Sequence, residues 1–327
     1  MREEDIRPQD IFNRYLELAK LDIDLFFGSC ERENGSCPAC SVKGSAAFIK
    51  SGFQYEECPS CMTLFVNPRP ISSAFEKFYT ESASVEFWAT TFYKETADAR
   101  RELLWKPKAK MIGDVITTFC SDIAPESIID IGGGYGIFAE EIQKVVGIPC
   151  VVIEPGPTLA EVCREKGLPV IEKFLDSILI SDLPHGKKVF VSFELFEHLH
   201  SPKEFIQSLN NVMDSGDIFI FTTLSGTGVD IRVLWENAKC VYPPHHLNFF
   251  NPKSIPILLN RLGFECLEIT TPGKLDIDIM LNSENLITDR FWKSFLSQAD
   301  EEDKILMQKT IAETKSSSHI MVVCEKR

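Results

Sequence analysis

Residues 127–142 read SIIDIGGGYGIFAEEI: an apolar run that ends in an acid, breaks into a glycine-rich turn and resumes with apolar residues at helical spacing. Ile128, Ile129 and Ile131 make a short β-branched segment, which suits a buried strand of a parallel sheet. Gly132, Gly133, Gly134 and Gly136 follow, so the chain can turn sharply and a ligand can approach without meeting Cβ atoms. Phe138, Ile142 and Val145 then recur on one helical face. A strand, a tight loop and a helix start in this order form the place where doubly wound sheets bind nucleotides.

The dinucleotide fingerprint G-x-G-x-x-G/A requires a small residue where this chain has Ile137, so the fit to NAD is poor. What stands here is Asp130-x-Gly132-x-Gly134-x-Gly136. A second apolar run, Val151-Val152-Ile153, ends in Glu154, 24 residues after Asp130. A carboxylate in that place can accept both hydroxyls of a bound ribose. Further strands are expected near 169–171, 188–193, 217–222, 264–270 and 319–325, with helices after the first five strands of the series. Such alternation predicts an α/β fold, a doubly wound, mostly parallel seven-stranded Rossmann-like sheet. Between the last two strands lies an insertion, about 272–317, with a polar helical stretch and the run Asp300-Glu301-Glu302-Asp303, read as a solvated face.

At 327 residues the chain has room for one sizeable α/β domain and a smaller module, and 44% hydrophobic residues can fill its core. A net charge of −14 argues against a general affinity for nucleic-acid backbones or anionic membranes, which leaves small molecules or proteins as partners. The start, MREEDIRPQD, carries no apolar signal region and no run approaches a membrane span, so the reading is a cytoplasmic protein with no membrane contact. Oligomeric state is not legible.

Eleven cysteines occur, and six of them stand isolated in apolar or helical settings where a thiol acts as a small hydrophobe. Four others pair as Cys37-Pro-Ala-Cys40 and Cys58-Pro-Ser-Cys61, seventeen residues apart. Two such knuckles about a short hairpin match a tetrahedral four-thiolate zinc site, closed to further ligands and therefore structural. Glycine often follows the second cysteine of a knuckle; here Ser41 and Met62 do. The division expected is an N-terminal amphipathic helix over 1–30, a zinc ribbon over 31–70, an aromatic helical linker or lid over 71–120, and the sheet domain over 121–327. Most linker aromatics are read as packing helices onto the next domain, and the sharper reading makes Tyr79, Trp88 and Tyr93 candidates to cover the site.

Two further stretches carry polar groups out of apolar runs. Val189 to Leu199 is a buried strand entering a loop with Ser192, Phe193, Glu194, Glu197 and His198. After the fifth strand a long loop holds Tyr242-Pro-Pro-His245-His246-Leu-Asn248, and loops at the carboxyl ends of central strands form the substrate wall of such folds. Zinc binding by His245 and His246 is an alternative reading, but no other His or Cys stands near them at ligand spacing along the chain.

Taken together, Asp130-x-Gly-x-Gly-x-Gly136, Glu154, Ser192-Phe-Glu194 with Glu197-His198, the two knuckles and His245-His-Leu-Asn-Phe-Phe resemble bacterial class I S-adenosylmethionine (SAM) methyltransferases with an N-terminal zinc ribbon, of the sort found among polysaccharide- and sugar-modifying enzymes. The resemblance implies that Asp130, Gly132, Gly134, Gly136, Glu154, Ser192, Phe193 and Glu194 bind SAM. It implies a methyl transfer to a small-molecule acceptor, with His245 or His246 removing a proton and Glu197 or His198 assisting. Cys37, Cys40, Cys58 and Cys61 would hold structural Zn2+. An RNA methyltransferase with a zinc module and a non-catalytic SAM-binding or scaffold protein are the alternatives; the first should display a basic face, which the acidic composition does not advertise.

Overall fold

A computed structural model describes residues 3–327. Seven strands form the main sheet, in the spatial order Phe264–Thr270, His319–Lys326, Ile218–Leu224, Lys188–Phe193, Ser127–Ile131, Cys150–Ile153 and Val170–Ile171. All run parallel except His319–Lys326, which is antiparallel to both neighbours. Successive residues of a strand point to opposite faces, and both faces are covered. Ile129 and Ile131 enter one core with Phe190, Phe219 and Phe221, while Ile128 enters the other with Val189, Val191 and Ile220. Double coverage is why these strands read as unbroken apolar runs.

The helices Ile137–Val146, Pro157–Glu165 and Pro202–Val212 follow three of the parallel strands, the last capped by Ser201 with Pro202 at its first position. One expected helix is missing. After Val170–Ile171 the chain makes two 3-10 turns, Leu175–Ser177 and Ile180–Asp182. The Asp182 carboxylate accepts the Leu179 amide at 2.9 Å and binds Lys173, and such local bonds compete with helix formation. The polar insertion folds as the helices Asp276–Leu281, Arg290–Gln298 and Glu301–Glu313. Asp300 caps the last of them by accepting the Asp303 amide, so the acidic run lies at a helix N-terminus, where negative charge is favoured.

From Ala83 to Phe119 helical segments follow one another, α-helical over Ala83–Phe87, Tyr93–Arg100 and Lys106–Phe119 and π-helical over Trp88–Phe92 and Arg101–Trp105. The final segment packs Ala109, Ile112 and Ile116 into the sheet core, so part of the stretch expected to link the domains is a layer of the sheet itself. Two ion pairs, from Arg101 to Glu140 (2.7 Å) and to Glu141 (2.5 Å), fasten the π-helical segment Arg101–Trp105 to the helix after the glycine loop.

The cysteine module is built on the hairpin Ser45–Lys50 and Phe53–Glu57, extended by Leu64–Val66. A fourth strand, Asn248–Phe249, comes from the His-His loop and pairs antiparallel with Leu64–Val66, placing Asn248 opposite Phe65. Tyr55, Phe65 and Phe249 are fully buried at this junction. Truncating one such aromatic to alanine typically costs about 3–5 kcal/mol. The module and the loop thus share one sheet and one core. No helix among the described residues is long and apolar enough to cross a membrane.

Candidate functional site

The glycine loop closes between strand Ser127–Ile131 and helix Ile137–Val146. Gly134 has φ +54 and a Cβ there would first meet the Tyr93 hydroxyl at 3.7 Å, so the nearest cover over it is the start of helix Tyr93–Arg100. Gly136 has a different role. At φ +68 its absent Cβ lets the loop lie against Leu168 and Cys163, which a methyl group would approach to 2.7 and 2.8 Å. Glu154 joins the loop to the next strand, accepting the Gly134 amide at 3.0 Å on one oxygen and the Gly156 amide at 2.9 Å on the other. Burial raises its pKa, and the two amides work against that.

A narrow cavity of about 30 Å³ lies over this loop, lined by Asp130, Gly132, Gly133, Phe193 and the aromatic rings of Tyr93, Trp105 and Tyr135. Tyr93 and Tyr135 stack with centroids 5.6 Å apart and planes 6° from parallel. Asp130 is buried and its Oδ2 has no hydrogen-bond partner. Burial, with the nearby charge of Glu154, pushes it up to about 7. An orphaned acceptor facing a cavity fits a cationic or hydrogen-bonding ligand group. Ser192 faces elsewhere: its hydroxyl donates to the Ile131 carbonyl at 3.1 Å and ties the two central strands together.

Glu194, just past the end of strand Lys188–Phe193, takes φ +52, a conformation costly for a residue with a Cβ. It is held there by partners that sequence reasoning did not single out. Thr222 donates to it at 2.8 Å, Lys108 lies 3.2 Å away, and His319 Nε2 lies 2.8 Å away. Burial alone would raise its pKa; the charges of His319 and Lys108 outweigh it and hold the carboxyl well below the usual range. Lys108 also sits 4.7 Å from the centre of the Phe193 ring. No local motif announces this group, because its members come from a linker helix, two central strands and the last strand.

Beyond Glu194 the structure assembles a histidine centre. His245 is buried in an aromatic cage: its ring lies 5.8 Å from Tyr242, 5.9 Å from Tyr15 and 5.1 Å from Phe78, with Tyr79 at 6.2 Å. Tyr15 belongs to the N-terminal helix Gln9–Phe27, to which sequence reasoning assigned no chemistry. Trp88, from the first π-helical segment, packs on Tyr15 at 4.7 Å. Burial, then the neighbouring His246, lowers His245 to about 3, so it is neutral near pH 7, and its Nε2 has no hydrogen-bond partner.

His246 points the other way. Its Nδ1 lies 2.5 Å from the Cys240 carbonyl, which can only accept, so Nδ1 carries the proton and Nε2 the lone pair. The His198 ring stands 4.7 Å from it, edge to face. Burial lowers His246 to about 4, and burial with both neighbouring histidines holds His198 well below its ordinary value. Glu197 is buried and accepts from Thr223 at 2.8 Å; burial, with the charge of Glu194, pushes it up to about 8. One ligand atom each from Glu197, His198 and His246 can be chosen so that all lie within 4.8 Å of one another. His245 and His246 had no further ligand near them in the sequence, yet folding brings His198 and Glu197 beside His246.

The cysteine module holds this centre in place. The Tyr55 hydroxyl donates to the His246 carbonyl at 2.7 Å, and Arg69 donates to Asn248 at 2.8 Å. The two knuckles repeat one geometry. Ser41 and Met62 take φ +64 and +59, their amides returning to the Cys37 and Cys58 carbonyls at 2.9 Å each, so the left-handed turn is made without glycine. The four sulfurs lie within 4.8 Å of one another, with Cys37 to Cys61 and Cys40 to Cys58 both at 3.4 Å. Four thiolates at about 2.3 Å from a tetrahedral ion would be separated by about 3.8 Å. The donor set therefore fits a thiolate-preferring divalent metal and leaves it no open position.

Known proteins add the following. No curated protein matches the chain in sequence. Among solved structures, the chain is similar to the plantazolicin methyltransferase BpumL in complex with SAH, at 14% identity over 77% of this chain and 93% of that one, with a TM-score of 0.47. It is similar to a SAM-dependent methyltransferase from Archaeoglobus fulgidus, at 15% identity over 67% and 94%, TM-score 0.42. It is also similar to the cyclase SpnF, at 14% identity over 68% and 82%, TM-score 0.43. The methyltransferase domain family matches residues 97–269, from the helix Tyr93–Arg100 through the glycine loop to the strand before the insertion. That match spans just over half of the 327 residues, and the chain belongs to the methyltransferase domain family.

Proposed function

We propose that the protein transfers the methyl group of SAM to a hydroxyl of a small acceptor such as a sugar or polysaccharide precursor. The observation that carries the reading is the cradle at the glycine loop: a free Asp130 oxygen borders an aromatic-walled cavity that Phe193 also lines, and Glu154 holds the adjoining Gly134 amide beneath Tyr93. Asp130 would receive the amine of the methionine tail, and Glu154 the ribose hydroxyls. SAM brings a good leaving group, so the protein's share is to align donor and acceptor, exclude water and remove one proton.

His245 is the group we assign to that proton, because its Nε2 is neutral and unpartnered while His246 spends Nδ1 on Cys240. Its low basicity means that the proton moves as the methyl group moves, not before. The enclosed aromatic surroundings of His245 suit a compact acceptor, and a net charge of −14 disfavours RNA. Structural zinc would hold the ribbon against the His-His loop.

The test is calorimetric titration with SAH, followed by mass spectrometry of a small-molecule extract incubated with labelled SAM. SAH binding and one labelled small product are expected; absence of SAH binding overturns the reading. Alanine variants at His245, His246, His198 and Glu197 that all retain the wild-type rate would remove the assigned roles.

A further inference from the structure

We infer that Glu197, His198 and His246 form a second metal site, distinct from the four cysteines, which holds a divalent first-row cation beside the acceptor. Two imidazoles and one carboxylate are a donor set for Mn2+, Fe2+ or Zn2+, and three protein ligands leave positions open for water and a substrate oxygen. The ligand atoms come within 4.8 Å of one another. An ion bonded at about 2.1 Å to each would hold the three ligand atoms about 3.0–3.4 Å apart, a separation that small side-chain adjustments reach from this starting cluster.

Three independent features support a built site over a chance encounter. The His246 Nδ1 proton is committed to the Cys240 carbonyl, which leaves Nε2 as a ligand and fixes the ring, the second-sphere arrangement that metal-bound histidines use. Thr223 orients the Glu197 carboxylate at 2.8 Å, and the Leu247 amide donates to the Glu197 carbonyl at 2.8 Å, locking the two ligand segments together. Among the described residues no hydrogen bond joins the side chains of the three ligands, although buried Glu197 and the half-buried His198 and His246 face one another. Polar groups held that close without mutual bonds are the surroundings a cation completes.

The chemical role rests on the methyltransferase reading; the binding does not. A bound cation would coordinate the acceptor hydroxyl and lower its pKa. The O–H bond then breaks toward His245 Nε2, a C–O bond forms to the methyl carbon, and the C–S bond breaks with its electron pair returning to sulfur.

The experiment uses the full chain, with zinc first measured in the protein, and titrates Mn2+ by electron paramagnetic resonance. Mn2+ is a poor thiolate binder, so the cysteines do not compete. One Mn2+ per chain is expected, with affinity at least tenfold weaker in Glu197→Gln and His246→Gln and SAH affinity within twofold of wild type. In the unmodified protein labelled with 15N-histidine, substoichiometric Mn2+ should broaden the ring signals of His198 and His246 before those of His185, a measurement that needs no variant to fold. No Mn2+ binding to the wild type, or equal binding in both variants, overturns the site. Failure of SAH to bind while Mn2+ binds would overturn the methyltransferase reading and leave the metal site standing.

Discussion

The glycine loop and the histidine centre are neighbours built in opposite ways. The loop and its acids come from Asp130 to Gly156, one strand–helix–strand unit closed by local amide bonds to Glu154. The histidine centre draws on the N-terminal helix through Tyr15, the π-helical segment Trp88–Phe92 through Trp88, the fourth strand's exit through Glu197 and His198, and a loop pinned by Tyr55 of the cysteine module. One site is a property of a segment; the other exists only when four segments are docked. The cysteine module should therefore matter to the second and barely touch the first.

The largest effect should come from separating them. If the four cysteines hold zinc as proposed, Cys58→Ser or treatment with a chelator is expected to unfold the module, since a structural zinc site carries about 10–16 kcal/mol of folding free energy. Methyl transfer should fall by about a thousandfold while SAH affinity stays within about threefold, as the catalytic contribution of one positioned acid–base group alone reaches about 10²–10⁴. A parallel collapse of SAH binding, read by calorimetry on the same sample, would show that the two regions are one unit.

The converse change is Gly134→Val. A side chain at φ +54 introduces strain of about 1–3 kcal/mol and enters the space under Tyr93, so SAH affinity should drop by about a hundredfold. The edge-to-face pair of His198 and His246, followed by histidine NMR, should not move.

A pH profile sharpens the contrast further. Asp130 has a folded-state pKa near 7, above the unfolded carboxylate value of about 3.9. Its neutral form is the favoured one in the free protein, so its contribution to stability is complete below about pH 4 and is lost as pH rises through 7. A cationic amine favours the ionised form instead. The ionised fraction grows by about tenfold between pH 6 and 8, so SAH affinity should rise by about that factor and become flat in Asp130→Asn. A wild-type affinity independent of pH would place the amine elsewhere.

The smallest effect tests the pin. Tyr55→Phe removes one hydrogen bond to the His246 carbonyl, worth about 1 kcal/mol, and should slow transfer by about fivefold with SAH binding unchanged.

How much could be read in advance follows the same division. The strand 188–193 was legible to the residue because a sheet covered on both faces demands a continuous apolar run; 264–270 was legible too, although it is an edge strand with Glu265 and Glu268 exposed. The helix expected after the third strand was not found, since Asp182 binds its own backbone neighbours, a competition invisible to periodicity. Ser192 stood in a cofactor motif yet its hydroxyl spans to Ile131, and which way a residue of a buried strand bonds depends on the strand beside it. Lys108, Thr222 and His319 carried no motif; only the sheet order, which sets the last strand antiparallel beside Ile218–Leu224, delivers His319 to Glu194.

By itself the sequence determined what depends on spacing within a few residues: the strand-loop-helix of 127–142, the acid that closes it, and the two cysteine knuckles, each formed by short-range backbone geometry. The tertiary structure alone decided what depends on distance in space. It paired Asn248–Phe249 with the cysteine module, set Tyr15 against His245, and brought His198 beside His246 across 48 positions of chain. Side chains that far apart in sequence meet only after the core is packed, and nothing in their local pattern encodes that meeting.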